Sequence, residues 1–251
     1  MIPLKDNIPT ARFPYVTVAL IIVNVLAYLL SVSHGGSIIS GPDTQEVVKY
    51  GAIPKALTHC LSKHEVIVGN QLVCAPSGGM PTWQTIFTAM FMHASILHIG
   101  GNLLFLWIFG NNVEDSMGPI RFLIFYLLGG VAALALQVAV GPNTVGPTVG
   151  ASGAIAAVLG GYIVLYPRAR VLSLVFIIFF FGVFELPALV MLGLWFVQQA
   201  VFGAAGLTSP AHAGGGVAYF AHVGGFVFGL LAIRLVATRR KATPPTRSAY
   251  R

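Results

Sequence analysis

Ser152 and His222, like His98 and Asn102, are polar residues set in otherwise apolar stretches. An imidazole has an ordinary pKa of about 6.5, so His222 suits a general base. A serine hydroxyl becomes a nucleophile when such a base lies within hydrogen-bond reach. Ser152 stands in Gly150-Ala151-Ser152-Gly153, where glycines let the backbone turn sharply and a substrate approach. His98 and Asn102 are four residues apart, so they share a helix face and can aim two donors at one point. Two such donors suit the oxyanion of a tetrahedral intermediate.

Each residue also has a plainer reading. Taken alone, His98 and Asn102 read more readily as interhelical hydrogen bonds that hold a bundle. Ser152 would serve as a helix N-cap or a small packing residue, and His222 as a packing residue or a proton-relay group. On the residues alone, acyl transfer stands level with a small transporter in which His222 and Asn102 line a polar path.

Composition dictates what must hold these groups. Hydrophobic residues make up 56% of the 251-residue chain and charged residues only 8%, against about a quarter charged in a soluble domain. Mean hydropathy is +0.84. Most of the chain is therefore dissolved in lipid. A net charge of +7 in so apolar a chain reads as the cytoplasmic bias of basic residues in membrane proteins, not as a nucleic-acid footprint. A membrane-crossing helix needs about 20 mostly apolar residues. The candidates are Tyr15–Val32, His93–Val113, Phe122–Val140, Ser152–Tyr166, Ala188–Gly203 and Val217–Val236, which make an all-α bundle of six transmembrane helices. Tyr15–Val32 is too long for the apolar core of a signal peptide and has no A-x-A-like site after it, so it is expected to be retained.

Val171–Phe184 (VLSLVFIIFFFGVF) is ambiguous. Joined to the next helix it makes a 33-residue run, about 50 Å long and too long for one span. Counted alone, it would reverse the orientation of everything after it. Charge decides. With six spans and both termini cytoplasmic, the inner side holds Lys5, Arg12, Arg121, Arg168, Arg170, Arg234, Arg239, Arg240, Lys241, Arg247 and Arg251, and the outer side Lys49, Lys55 and Lys63. Eleven basic residues against three is a strong positive-inside pattern. Val171–Phe184 is then an interfacial or re-entrant piece buried against protein. The membrane domain covers 1–237, with 33–82 as an outer loop between the first two helices and 238–251 as a disordered basic cytoplasmic tail. Cys60 and Cys74 share the outer loop without metal-like spacing, and a disulfide between them stays open.

The same topology sets the four polar residues near the outer ends of helices two, four and six, with His222 about 7.5 Å deep by helical rise. Polar groups at one membrane depth point to one site. Ser152, Ala156 and Gly160 recur at every fourth position, as do Ala221, Gly225 and Gly229. Small residues so spaced let membrane helices approach closely, which would bring Ser152 to His222.

These residues resemble the motifs of the rhomboid family. The pattern H-x4-H-x3-N stands as His93, His98 and Asn102, G-x-S-G as Gly150 to Gly153, and A-H-x-x-G-x-x-x-G as Ala221, His222, Gly225 and Gly229. The stretch Glu114 to Tyr126, with Gly118 and Arg121, and the start MIPLKDNIPT are also similar to family members. The resemblance covers most of the chain from residue 1 to about 237. It implies an intramembrane serine endopeptidase whose partners are transmembrane protein substrates and the lipid bilayer, with no metal and no organic cofactor. It implies a Ser152–His222 dyad without an acid, and an oxyanion hole from His98, Asn102 and the Ser152 N–H. His93 would be structural, helping to position the first loop. A bacterial member would sit in the plasma (inner) membrane, its active site toward the periplasmic or extracellular side.

Two positions depart from the family pattern. Gln84 follows Trp83 where family members often have arginine, and Ala156 stands where many have a tyrosine stacked on the catalytic histidine. What orients His222 is left unassigned. The alternatives are a proteolytically inactive rhomboid that binds or escorts membrane proteins, and a small transporter. The intact Ser152 and His222 argue against the first. The absence of intramembrane acids and of an evident inverted repeat argues against the second.

Overall fold

Apolar runs in lipid fold as helices because the bilayer core offers the backbone no hydrogen-bond partner. The computed structural model describes residues 1–60, 64–68, 71–75, 80–177, 180–207 and 217–238. Strand β1 (Ile2–Asp6) leads into helix α1 (Tyr15–Ser33). Short helices α2 (Thr44–Tyr50) and α3 (Pro54–His59) follow, then a hairpin of β2 (His64–Val68) and β3 (Gln71–Ala75). A single turn, α4 (Thr85–Thr88), precedes a long helix made of α5 (Ile96–Phe105), a π-helical turn at Leu106–Gly110 and α6 (Asn111–Met117). Next come α7 (Pro119–Val140) and α8 (Ser152–Leu165), then a hairpin of β4 (Arg170–Ile177) and β5 (Phe180–Pro187), then α9 (Ala188–Leu207) and α10 (Tyr219–Val236). The helices α1, α5–α6, α7, α9 and α10 are long and apolar enough to cross a membrane, and α8 is a shorter apolar helix. The chain is a mostly helical, multi-pass membrane protein.

Every residue of α8 except Ser152 and Val164 is buried. A helix that is apolar all round belongs inside its bundle, and α10 is the neighbour it packs against most extensively. The contact is backbone on backbone. A Cβ on Gly225 would overlap the Gly153 carbonyl oxygen, one on Gly229 that of Ala157, and one on Gly160 that of Phe226. Outside this core, Leu26, Leu30, Ile120, Leu231 and Leu235 are exposed, as lipid-facing side chains are. A glycine–proline pair makes the turn from α6 into α7. Gly118, at φ +86°, ends α6 in a conformation that side chains oppose, and Pro119 opens α7 with its φ already helical.

At the C-terminal end of α8, acidic side chains tie the N-terminal arm to the bundle. Glu114 accepts from the Val16 and Thr17 N–H groups and from the Thr17 hydroxyl. It thereby caps a helix that has no capping side chain of its own. Asp115 accepts from the Ala11 N–H. Asp6 accepts from the Asn112 amide at 2.7 Å and from the Tyr162 hydroxyl.

The segment Val171–Phe184, expected to be an interfacial or re-entrant piece, takes extended form. It is a hairpin, β4 with β5, and β1 pairs antiparallel with β4 to complete a three-stranded sheet in the order β1-β4-β5. The burial expected for it holds only in part. Val171 and Ser173 are fully buried, whereas Phe181 is 77% exposed. Its β-branched and aromatic residues suit a pleated surface, and pairing satisfies a backbone that an isolated extended segment would leave open. Cys60 is disulfide-bonded, while the side chain of Cys74 lies outside the described residues. The basic tail, from 239 onward, lies outside them too.

Two predictions follow from the packing and from the buried acid. Gly225→Ala should cost about 1–3 kcal/mol by overpacking, whereas Gly193→Ala, which meets open space, should cost nothing. Equal thermal midpoints for the two variants in detergent would contradict the backbone contact. Burial raises the Asp6 carboxyl from 3.8 to about 6, against the opposing pull of Tyr162. Its stabilising protonated form is fully present below about 3.8 and is lost as pH rises through about 6. Asp6→Asn keeps an acceptor oxygen, so it should flatten the pH dependence of the midpoint across that window. Parallel curves for the variant and the parent protein would refute this.

Candidate active site

Ser95 caps α5 by accepting from the His98 N–H at 3.2 Å, which fixes where the first turn of that helix begins. His98 sits in that turn. Its Nδ1 accepts from the Ala94 N–H at 3.3 Å, so a neutral ring carries its proton on Nε2. That Nε2 lies 2.8 Å from where a Cβ on Gly150 would stand, and Ser152 Oγ lies 3.6 Å from the same point. Gly150, at φ +120°, is therefore the bare spot between the His98 ring and the serine. Asn102 is buried one turn further along α5, and its amide donates to the His98 carbonyl at 3.0 Å. An amide nitrogen has two hydrogens, so this bond leaves one for a ligand.

The turn that carries the serine is held from two sides. His93, fully buried, accepts from the Ala151 N–H through Nε2 at 3.4 Å and sets its ring edge-on to His98, 5.1 Å between centroids. The partner of His93 is thus the turn before Ser152. The Gly150 N–H donates to Ala89, and Thr148 exchanges two backbone bonds with Ala52, so the segment after α1 clamps the same turn. Ser152 is the first residue of α8, where backbone N–H groups have no intrahelical acceptor and point toward any anion placed there.

His222 occupies the first turn of α10. Its Nε2 is 2.7 Å from Ser152 Oγ, and its Nδ1 is 2.7 Å from Gln199 Oε1 on α9. The indole of Trp195 lies 5.6 Å from the imidazole, tilted by 36°. Gln137 of α7 accepts from the Ala221 N–H at 3.2 Å and so anchors the start of α10. Ala156 is fully buried and packs 3.3 Å from where a Gly225 Cβ would stand. The ring beside His222 therefore comes from α9, not from α8. Gly153, Ala221, Gly225 and Gly229 contribute no polar side chain. They bring the two helices together.

Gln199, Trp195 and Gln137 were not singled out from sequence. The signal was present for the glutamines, since a polar side chain within an apolar span is a candidate for function. Chemically, the arrangement is a hydroxyl on a base, beside an imidazole N–H and a helix N-terminus. It is suited to attack on a carbonyl.

Residues 81–239 match the profile of the rhomboid domain. The chain is 31% identical over 153 residues to Rhomboid protein 1, mitochondrial, of Saccharomyces cerevisiae, a match covering 59% of this chain and 40% of that protein. It is 29% identical over 157 residues to Rhomboid protease GluP of Bacillus subtilis, covering 62% of this chain and 26% of the relative. It is 41% identical over 75 residues to Rhomboid-like protein 11, chloroplastic, of Arabidopsis thaliana, covering 30% and 26%. The chain thus spans less than half the length of these curated relatives.

Proposed function

The chain belongs to the rhomboid family, and on that premise we propose that it is a serine endopeptidase that cuts transmembrane segments of other membrane proteins near their outer ends. Membership supports a protease-type function acting on membrane proteins within the bilayer. The observation that carries the finer reading is the 2.7 Å bond between Ser152 Oγ and His222 Nε2.

In this mechanism Ser152 Oγ attacks the scissile carbonyl carbon while its proton passes to His222 Nε2. Negative charge gathers on the carbonyl oxygen, facing the His98 Nε2–H, the Asn102 amide and the Ser152 N–H. Collapse breaks the C–N bond, and the leaving amine takes the proton back from His222. Water then attacks the acyl-serine, His222 accepts its proton, and the acid product departs with Ser152 reprotonated. A small, mostly apolar pocket beside Ser152, lined by Ala89, Met90, Gly130, Gly153, Ala154 and Ala221 among others, suits a small substrate side chain.

The proposed topology has both termini on the cytoplasmic side of the plasma membrane and residues 1–237 acting as one membrane unit. The distribution of basic residues supports it. Helix α8 has 14 residues, about 21 Å of helix against a hydrocarbon core of about 30 Å. Ser152 at its outer end then lies below the membrane surface, at the depth of a transmembrane substrate.

The test is cleavage of a single-span substrate by the purified chain in liposomes. Ser152→Ala and His222→Ala should each abolish the product, and Asn102→Ala should slow it by about 10²–10³. Full cleavage by folded Ser152→Ala protein would end the proposal.

A further inference from the structure

The geometry points to Gln199 as the positioning residue of the base: its side-chain carbonyl holds the His222 proton on Nδ1 and so keeps the Nε2 lone pair on Ser152. The inference rests on the Ser152–His222 reading above. A neutral imidazole carries one proton, and only the Nδ1–H tautomer can accept from a serine through Nε2. Gln199 Oε1 accepts and cannot donate, and it stands 2.7 Å from Nδ1. Gln199 is itself only 7% exposed, so water does not readily take over its task. Losing the bond would leave Nδ1–H as a buried donor without an acceptor, and the ring would gain by moving its proton to Nε2. That tautomer points a hydrogen at the nucleophile.

Trp195 lies one helical turn before Gln199, on the same face of α9. Its indole beside the imidazole limits how far the ring can tip away from the bond. The pair answers the question left by Ala156, because the support comes from a different helix. A neutral amide also differs from a carboxylate in kind. It selects the tautomer without adding a charge to a site in low dielectric, where an ion is costly. The groups around His222 are Ser152 from α8, Trp195 and Gln199 from α9, and the titratable His98.

The test is kinetic and spectroscopic on the full chain in bicelles. Gln199→Leu removes the acceptor, and kcat should fall by between about 10² and 10⁴, the upper figure being that of a serine protease with the wrong tautomer. KM should not change. Gln199→Glu keeps an acceptor, so it should restore most of kcat, while its negative charge favours protonated His222 and moves the acidic limb of the pH–rate profile to higher pH. Nitrogen-15 NMR of the parent protein should show His222 protonated on Nδ1. Parental kcat and pH profile in Gln199→Leu, with Ser152→Ala still inactive, would overturn this inference and leave the dyad standing. So would a parent spectrum with the proton on Nε2, even if the leucine variant failed to fold. Cleavage by Ser152→Ala would instead remove the dyad itself.

Discussion

The backbone contact between α8 and α10 is the constraint on which the rest depends. Gly225 sits on the Gly153 carbonyl, Gly229 on that of Ala157, and Gly160 on that of Phe226. Side chains at these positions would hold the axes apart. Lipid exerts no hydrophobic pressure on helices that are already in it, so close packing between small residues must supply the association. The 2.7 Å bond between Ser152 and His222 is a consequence of that closeness. Ser152 opens one helix and His222 lies in the first turn of the other, so their separation follows from how near the two backbones come. A shift of about 1 Å at such a pair costs on the order of 10²-fold in rate.

Polar groups are divided between the two ends of the bundle, and each end solves the same problem differently. At the C-terminal end of α8, Glu114 and Asp115 accept from backbone N–H groups and a hydroxyl of the N-terminal segment, and Asp6 of that segment accepts from the Asn112 amide and the Tyr162 hydroxyl of the bundle. At the other end, among the described residues, no carboxylate contacts Ser152 or His222. His93 takes the Ala151 N–H, Asn102 gives to the His98 carbonyl, and His222 bonds to Gln199 and Ser152. Neutral partners satisfy these groups without burying net charge. In the reading proposed above they also fix two imidazole tautomers in opposite senses, Nε2–H on His98 and Nδ1–H on His222. One ring is thereby a donor toward the reaction centre and the other an acceptor.

Much of this was legible in the sequence because it repeats with the helical period. Ala221, Gly225 and Gly229 mark a face whatever the tertiary fold, and polar residues in apolar runs mark a site. Gln199 carried the same signal but stood in a span read only for its hydropathy. Its partner, 23 residues away, is set by how α9 leans on α10, which no local pattern records. The hairpin of β4 and β5 was hidden for another reason. A short apolar run has no period that separates strand from helix, and its pairing partner, β1, lies at the opposite end of the chain. The capping of α1 by Glu114 is equally non-local.

The claim at the centre is that the folded bundle makes one serine hydroxyl nucleophilic. The direct measurement is labelling of the reconstituted protein with an activated fluorophosphonate, with the modified residue mapped by mass spectrometry. The account predicts a single adduct, on Ser152, that disappears in His222→Ala and in unfolded protein. Label spread over other serines, or an adduct at Ser152 that forms equally well without His222, would contradict it.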